Sequence, residues 1–382
     1  MNDALMTYLV WPAIKFSIAF VIVMLVIVAM TWIERRLLGL MQVRLGPNRV
    51  GPFGLFQVIA DPVKLLLKED ILPARAEKVA YFLGPIIPLF PAFIVFCLIP
   101  FGPPPTFMVT RVNVGILLIL AFSSTAVYGL ILGGWASNNK FSLMGSLRSA
   151  AQAVSYEVPF GLSIIGLLMM AGSLDLVQIV RYQEANAWNF VPQIVACFIF
   201  FVAMNAENNR TPFDLPEAES ELVAGYHTEY SGMKFALFMM GEYAMMIVNS
   251  SLIVTLFFGG WSFGMFGFGL TTEVLTGMGL LGGLLGVGIF FTKMMMFMLV
   301  YVWFRATFPR FRFDQLMDLG WKFLIPLALA NIFVTGLFIL AGQERSMNLI
   351  GLAVIGAVVF HLARKPGKKK SKPAPGKVIH AS

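Results

Sequence analysis

Metal-ligating side chains are scarce in this sequence, which has two cysteines and three histidines among 382 residues. Cys97 and Cys197 lie far apart in apolar runs, whereas an iron–sulfur cluster needs about four thiolates and a structural zinc about four nitrogen or sulfur ligands. A haem held between two membrane helices would need paired histidines at matching depths, but His227 lies in an acidic loop and His380 lies near the C-terminus. We therefore expect this chain to hold no metal and no redox cofactor of its own.

Charged residues are also few. They make up 13% of the chain, against about 25% in a soluble globular domain. Hydrophobic residues make up 58%, and the mean hydropathy is +0.80. This composition excludes an ordinary cytosolic enzyme and indicates a chain that is surrounded mainly by lipid.

The net charge of +8 belongs to the C-terminal tail rather than to the body of the protein. Residues 364–382 contain seven of the 28 basic residues and no acid, so the rest of the chain has 21 bases against 20 acids. Nucleic-acid binding needs a basic patch on a folded face, so we expect no nucleic-acid partner. The tail is rich in lysine, proline and glycine. We expect it to be disordered and cytoplasmic, either as a simple topology anchor or held near anionic head groups or an acidic partner.

Long apolar segments predict the fold class. A helix needs about 20 mainly apolar residues to cross the hydrocarbon of a membrane. Nine segments meet this requirement: 11–33, 79–100, 112–134, 153–171, 190–206, 234–259, 283–304, 322–341 and 347–363. We therefore predict an all-α integral membrane protein, with about nine transmembrane helices in a single domain over residues 1–363 and the tail after it.

The basic residues between the spans predict the orientation. Most of them lie in the tail and in four loops, 34–78, 134–152, 205–233 and 305–321. The other loops hold Arg111, Arg181 and Arg345. Because an excess of lysine and arginine marks the cytoplasmic side, we expect these four loops and the C-terminus to be cytoplasmic and the N-terminus to be outside. An odd number of spans likewise places the two termini on opposite sides of the membrane.

Residues 53–69 are too short and too charged to span a membrane. Gln57, Asp61, Lys64 and Lys68 fall on one narrow stripe of a helix whose other side is leucine, isoleucine, valine and phenylalanine. Such a helix lies in the membrane interface. We expect Asp61 to cap the second half of this helix, with proline in its first turn. The alternative role is only to seal the inner rim of the bundle.

Several charges occur where a membrane makes them costly. Glu157, Glu242 and Lys293 lie in or at the edge of predicted spans, and Glu34 and Glu207 lie at the inner ends of two others. A charge at the bilayer centre costs at least about 2.5–3.5 kcal/mol, so each of these must face a partner, water or a cavity. The carboxylates are either proton-exchanging groups or members of buried structural ion pairs.

The loop after the fifth span is strongly acidic. Between Ala206 and Tyr230 it holds six carboxylates and one base, Arg210, on the side that basic residues normally occupy. Asp214, before a proline and Glu217, predicts a helix start. In such a helix Glu217 and Glu221 would be like charges four residues apart, which is unfavourable. Either the negative electrostatic field of these carboxylates serves the function of the protein, or the loop is simply a solvated acidic segment.

Six strings of the sequence coincide with one family. They are Glu34–Arg36, Arg44–Arg49, Asp61–Lys64, Gly134–Lys140, Ser155–Glu157 and, as the most specific, Ala206–Gly232. Through these strings the chain resembles, over residues 10–345, the H-type membrane subunits of proton-translocating NADH-quinone oxidoreductase, respiratory complex I, whose mitochondrial counterpart is subunit 1.

The resemblance implies a membrane subunit at the joint between the membrane arm and the hydrophilic arm of that complex. Arg35, Arg36 and Asp61 would line a quinone tunnel whose mouth is the amphipathic helix. Arg210 would be the counter-charge of a funnel of proton-coupling carboxylates, which are Glu157, Glu207, Asp214, Glu217, Glu219, Glu221, Glu229 and Glu242.

The resemblance also implies the cofactors and partners. Quinone would be the substrate, while flavin mononucleotide (FMN) and the iron–sulfur clusters would be bound by partner subunits. The partners would be the hydrophilic quinone-site subunits on the cytoplasmic side, the neighbouring membrane-arm subunits and lipid.

Other interpretations of the sequence remain open. The homologous membrane subunit of an energy-converting hydrogenase or of a ferredoxin- or coenzyme-linked dehydrogenase shares the same architecture. A secondary transporter also carries charges in its spans, but such folds usually show inverted repeats, and none is visible here. A purely structural anchor is the third alternative. The basic tail favours a bacterial cytoplasmic (inner) membrane over the mitochondrial inner membrane.

Overall fold

The computed structural model describes residues 10–343, 347, 348 and 350, and for residues 219 and 220 it describes the backbone only. Over these residues the fold is helical and contains no β-strand. The α-helices are α1 (Trp11–Met41), α2 (Gln57–Leu67), α3 (Lys78–Leu98), α4 (Gly115–Ala136), α5 (Lys140–Ala171), α6 (Leu176–Ala185), α7 (Ile194–Glu207), α8 (Glu219–Leu222), α9 (Gly232–Phe257), α10 (Thr272–Gly277), α11 (Gly279–Thr307), α12 (Phe313–Asp318) and α13 (Ile325–Leu340). A π-helical segment, Leu319–Leu324, joins α12 to α13.

Seven helices in the described part of the chain are long and apolar enough to cross a membrane. They are α1, α3, α4, α5, α9, α11 and the continuous helix Phe313–Leu340. The predicted span 190–206 corresponds to α7, whose 14 residues extend only about 21 Å, less than the roughly 30 Å of a hydrocarbon core. The predicted span 347–363 and the tail lie outside the described residues apart from residues 347, 348 and 350, so the count of nine and the orientation stay predictions.

Several helices extend further into polar sequence than hydropathy indicates. Most of the predicted loop 134–152 is helical, because α5 begins at Lys140, where Asn139 accepts a hydrogen bond from the Phe141 N–H at 2.9 Å. Glu34 lies within α1 rather than in a loop, and the predicted loop 305–321 is reduced to the few residues between α11 and α12. At the start of α5, small and polar side chains contact the acidic loop, since the Ser142 hydroxyl donates to the Tyr226 carbonyl at 2.9 Å. This part of α5 therefore stays helical without being hydrophobic.

The helix α9 occupies the centre of the bundle. Within an apolar 18-residue stretch of each helix, 72% is buried in α9, whereas only 17% is buried in the helix Phe313–Leu340. The outer helices expose large apolar side chains such as Leu25 in α1 and Phe333 in α13. This arrangement, with a buried centre and an apolar outside, is that of a helical bundle solvated by lipid.

The short helix α2 confirms the predicted amphipathic element but not its cap. It begins at Gln57 and runs through Pro62 without a new start, so Asp61 caps nothing. Its large apolar side chains Ile59, Leu66 and Leu67 are exposed. An exposed apolar face next to lysines is typical of a helix lying in a membrane interface.

Candidate functional site

Glu34 lies at the centre of a buried group of charges. Its carboxylate is 2% exposed and accepts hydrogen bonds from Arg210 at 3.0 Å and from the Tyr243 hydroxyl at 2.8 Å. Arg305 binds its other oxygen. The Arg210 guanidinium also lies 4.4 Å from the centre of the Tyr243 ring. This group joins α1, the acidic loop, α9 and α11 through one carboxylate.

The next two residues of α1 point elsewhere, because each step along an α-helix turns the side chain by about 100°. Arg35 forms an ion pair with Asp61 of α2 and is half-exposed. Arg36 donates to the Phe53 carbonyl at 2.9 Å, and its guanidinium lies 5.4 Å from the Trp32 ring and 5.3 Å from the Phe53 ring. The three residues predicted to line a tunnel therefore lie together on the surface formed by α1, α2 and the segment before α2.

Two carboxyl groups of the predicted funnel share one tyrosine. The Tyr226 hydroxyl lies 2.8 Å from Glu217 Oε1 and 2.9 Å from Glu242 Oε1. Burial, followed by the two neighbouring carboxylates, raises the pKa of Tyr226 well above its usual value, so this hydroxyl stays protonated. Burial would also raise the pKa of Glu217, but hydrogen bonds with Glu242 and Tyr226 and the nearby His227 hold it below its usual value. The Tyr226 hydroxyl has only one hydrogen to donate, so its second contact needs a proton on the carboxyl side, and the two carboxyl groups are poised to hold a single proton between them.

The acidic loop reaches this geometry without the helix predicted to begin at Asp214. The first helical turn after α7 is Glu219–Leu222. Pro212 and Pro216 disfavour helical backbone at the residue before each of them, and Glu217 instead turns its side chain toward Tyr226. The predicted like-charge contact between Glu217 and Glu221 on one helix is therefore wrong.

The shape of the loop depends on contacts with α5 and on a close approach within the loop itself. The buried Gln152 side chain of α5 donates to the carbonyls of Ala206 at 2.7 Å and Phe213 at 2.9 Å. Gly225 has φ +57°, and a Cβ there would lie 1.7 Å from the Pro216 carbonyl oxygen. Only glycine fits where the loop crosses itself, one residue before Tyr226.

Asp214 forms an ion pair with Arg310, not with the predicted counter-charge Arg210. The Arg310 guanidinium donates to its carboxylate at 2.7 Å. Burial and, next, the Glu217 carboxylate raise the pKa of Asp214 to about 6, although Arg310 and Arg305 act in the opposite direction.

We expect the Asp214 titration to appear in the pH dependence of stability. A carboxyl whose folded pKa lies above its unfolded value binds its proton more tightly when folded, so stability falls as the pH rises from about 4 to about 6. Asp214→Asn should flatten this part of the profile, measured as the heat-denaturation midpoint of the purified assembly. The exposed Asp318, paired with Lys322, gives the control Asp318→Asn, which should keep the slope. An unchanged slope in Asp214→Asn would contradict the assignment.

Glu157 of α5 lies close enough to Glu207, the last residue of α7, for its charge to act on the Glu207 carboxyl group. Glu207 also lines a cavity of about 50 Å³ between α4, α5, α7 and α9, together with Asn208, Tyr226 and Glu242. Glu207 Oε1 and Asn208 Nδ2 are buried without a hydrogen-bond partner among the described residues. Buried polar atoms of this kind are normally satisfied by water, and a cavity needs only about 10–15 Å³ to hold one molecule.

The remaining predicted carboxylates lie at the edge of the loop. Glu221 binds Arg148 at 2.5 Å and is half-exposed, and Glu229 accepts from the Asn139 side chain at 2.6 Å. The Glu219 side chain is outside the described part. Glu221 and Glu229 therefore connect the loop to α5 and to its N-cap residue rather than to the shared tyrosine.

Sequence reasoning misses three residues of the site, which are Tyr226, Tyr243 and Arg305. The sequence holds a signal for Tyr243, which directly follows Glu242 in a predicted span. A buried tyrosine hydroxyl usually has a polar partner, so this position indicates a contact with a charged or polar group. Arg305 ends a span, where a long basic side chain can reach a buried acid. Among the described residues, no group of three or more histidine, cysteine, aspartate or glutamate side chains could hold a metal ion.

The chain is similar over most of its length to known membrane-complex subunits. A family model described as NADH dehydrogenase matches residues 14–336. The NADH-quinone oxidoreductase H-type subunit numbered 2 of Rhizobium meliloti is 47% identical over 332 residues, which cover 85% of this chain and 96% of that protein. The Geobacter sulfurreducens protein of the same name is 48% identical over 84% of this chain and 94% of its own length. The corresponding H-type subunit of Dehalococcoides mccartyi is 44% identical over 95% of both chains.

Proposed function

Because the chain belongs to the family of H-type subunits of NADH-quinone oxidoreductase, which are multi-pass membrane subunits of complex I, we propose that it forms the membrane side of the quinone-binding tunnel and couples quinone reduction to proton translocation. The observation that carries this proposal is the sequence Glu34-Arg35-Arg36 in α1. Glu34 joins the acidic loop, while Arg35 and Arg36 face the α2 side, so one helical turn connects the two halves of the proposed function.

The quinone half of the proposal rests on the surface between α1 and α2. A quinone has a polar head and a long apolar tail, so its passage needs an apolar opening toward lipid and polar groups at its inner end. The exposed apolar side chains of α2 supply the first, and Arg35, Arg36 and Asp61 supply the second. The hydrophilic partner subunits would complete this passage from the cytoplasmic side.

Weakening the contact between α2 and α1 should weaken quinone binding more than it slows electron transfer to the bound quinone. Asp61→Asn removes the charge that pairs with Arg35, and an exposed ion pair contributes up to about 1 kcal/mol. We expect the KM for a short-chain quinone to rise about two- to fivefold, with kcat little changed. Glu69→Gln, an exposed carboxylate just after α2, is the matched control. An equal rise of KM in both variants would contradict a specific role for Asp61.

The coupling half rests on the buried carboxyl groups. Quinone reduction takes up two protons and creates transient negative charge near the tunnel. Glu34 is held by two arginines that also lie near other carboxylates. Arg305 acts on Asp214 and Glu217, and Arg210 lies near Glu242. A change of charge near α1 therefore shifts the balance of protons among Glu217, Tyr226 and Glu242.

The cavity next to Glu207 would extend the route of protons from Glu217, Tyr226 and Glu242 further into the bundle. Its walls include Glu207 on one side and Tyr226 with Glu242 on the other. Water in a cavity of about 50 Å³ would link the shared proton of Glu217 and Glu242 to Glu207, which is close to Glu157. The proton path would then run from the acidic loop into the bundle between α5 and α9.

Glu157→Gln and Glu242→Gln test the coupling. We expect each variant to lower NADH–quinone turnover at least about tenfold, because a positioned acid or base typically contributes a factor of about 10² or more. Oxidation of NADH by a soluble artificial acceptor, which bypasses the membrane subunit, should be unchanged. The control is Glu273→Gln, at an exposed carboxylate of α10. Normal turnover in both test variants would favour the structural-anchor interpretation instead.

The family also defines the surroundings of the chain. NADH, FMN and the iron–sulfur clusters would be held by partner subunits, and the neighbouring membrane-arm subunits would receive the coupling. The bacterial relatives favour the cytoplasmic (inner) membrane as the location. Their names favour NADH and quinone over hydrogenase or ferredoxin chemistry, and leave no reason to prefer a secondary transporter.

A further inference from the structure

A crevice of about 240 Å³ lies away from the acidic loop, near the start of α1. It is bounded by α1, by the segment between α3 and α4 and by α11. Ile18, Ile22, Phe107 and Phe291 are among its lining side chains, and Lys15 and Thr106 are the polar residues in its wall. The crevice is therefore an apolar recess with one positive charge at its edge.

Lys15 is held in place but is not neutralised. Its ammonium group donates to the carbonyl oxygens of Pro105 at 3.2 Å and Met108 at 3.1 Å. An ammonium group has three N–H donors, so one remains without an acceptor among the described residues. No carboxylate in the described part forms an ion pair with Lys15.

The depth of Lys15 matches that of a lipid head group. It lies four residues after Trp11, the first residue of α1, which is about 6 Å along the helix axis. Trp11 is exposed, and exposed tryptophans are enriched at the membrane–water interface. The free N–H of Lys15 thus lies at the polar edge of the bilayer, while the apolar recess extends below it.

We propose that this crevice binds one anionic phospholipid, whose phosphate contacts Lys15 and whose acyl chain fills the recess between α1 and α11. The ammonium group of Lys15 is held in position without an ion-pair partner among the described residues, so it would attract an anion. The apolar wall of the crevice would bind a hydrocarbon chain. A phospholipid supplies both in one molecule and is present at this depth of the bilayer. Two helices far apart in sequence are thereby joined by the lipid.

A photoreactive lipid tests the proposal in the complete complex. Phosphatidylglycerol with a diazirine on its acyl chain is placed in phosphatidylcholine nanodiscs that contain the purified complex, and the labelled peptides are identified after illumination. We expect label on the peptides that carry Phe107 and Phe291. A phosphatidylcholine probe with the same acyl chain should label them about fivefold less, as should the phosphatidylglycerol probe with Lys15→Met, since one basic residue near the surface is worth about 1 kcal/mol.

Matched variants separate the charge from the recess. Lys15→Arg should keep the labelling, and Ile18→Trp should abolish it by filling the recess. Leu25→Trp places the same bulk on an exposed position of α1 outside the crevice and should leave labelling unchanged. No labelling of these peptides in the unaltered complex would overturn the proposal. Equal labelling by the two head groups would also overturn it, and this comparison does not depend on whether any variant assembles.

Discussion

Glu34→Gln is expected to reduce the stability of the assembled protein by about 3–5 kcal/mol, because it removes the carboxylate that forms ion pairs with both Arg210 and Arg305. Arg210 is 6% exposed and cannot turn to solvent, so its charge is left buried and unpaired. Native electrophoresis should show little assembled complex, and what remains should lose activity at a lower temperature than the unaltered protein.

A second substitution distinguishes this cause from a general packing defect. In Glu34→Gln with Arg210→Gln, the stranded charge is gone, so the loss should be smaller than the sum of the two single losses. Arg305→Gln alone should be mild, since the Arg305 side chain is 47% exposed and Glu34 keeps Arg210 and Tyr243. If the two losses simply add, the contact between Glu34 and Arg210 does not carry the stability.

Tyr226→Phe is expected to lower quinone-dependent turnover and proton translocation about 10- to 100-fold while the complex still assembles. The substitution removes a single oxygen atom, but that oxygen lies within 2.9 Å of both Glu217 and Glu242. Without it the two carboxyl groups lose their common partner, and a buried unpaired carboxylate holds its proton more tightly. Proton translocation should be followed in reconstituted vesicles, and NADH oxidation by an artificial acceptor should stay normal.

The same loop provides a matched control for this experiment. Tyr230 is also buried, but its hydroxyl donates to the Tyr81 carbonyl at 3.1 Å and reaches no carboxylate among the described residues. Tyr230→Phe therefore removes an equally buried hydroxyl without touching the carboxyl pair. We expect it to leave turnover within about twofold. Equal losses in the two variants would show that the loop is sensitive to any change and that Tyr226 has no special role.

Hydropathy was sufficient to predict most of the long helices because the length of an apolar run is itself the physical requirement for crossing a membrane. It failed where a helix continues through small polar residues, as at the start of α5. Ser142, Ser146 and Ser149 are fully buried there against other elements, which composition cannot indicate. The helix predicted to begin at Asp214 is wrong, although the sequence holds a signal against it, since Pro212 and Pro216 disfavour helical backbone at the residue before each of them.

The sequence also predicted that each charge in a span must have a partner, but not which one. Glu34 has two arginines beside it in sequence, yet these point away, and its partners lie 176 and 271 residues further along the chain. Pairings over such distances depend on how the helices pack, and one sequence contains no direct record of that packing. The shared position of Tyr226 between two acids was hidden for the same reason.

The long separation of Glu34 from its partners has a consequence for biosynthesis. The first helix enters the membrane from the ribosome long before Arg210 has been made. At about 5–20 residues per second, translation of the intervening 176 residues takes roughly 10 to 35 seconds. During that interval the end of α1 that carries Glu34 must remain within reach of water, because neither of the two arginines that bind Glu34 has yet been made. The helix α1 is therefore inserted into the membrane early. Its Glu34 end is covered only later, after the acidic loop and α11 have been made.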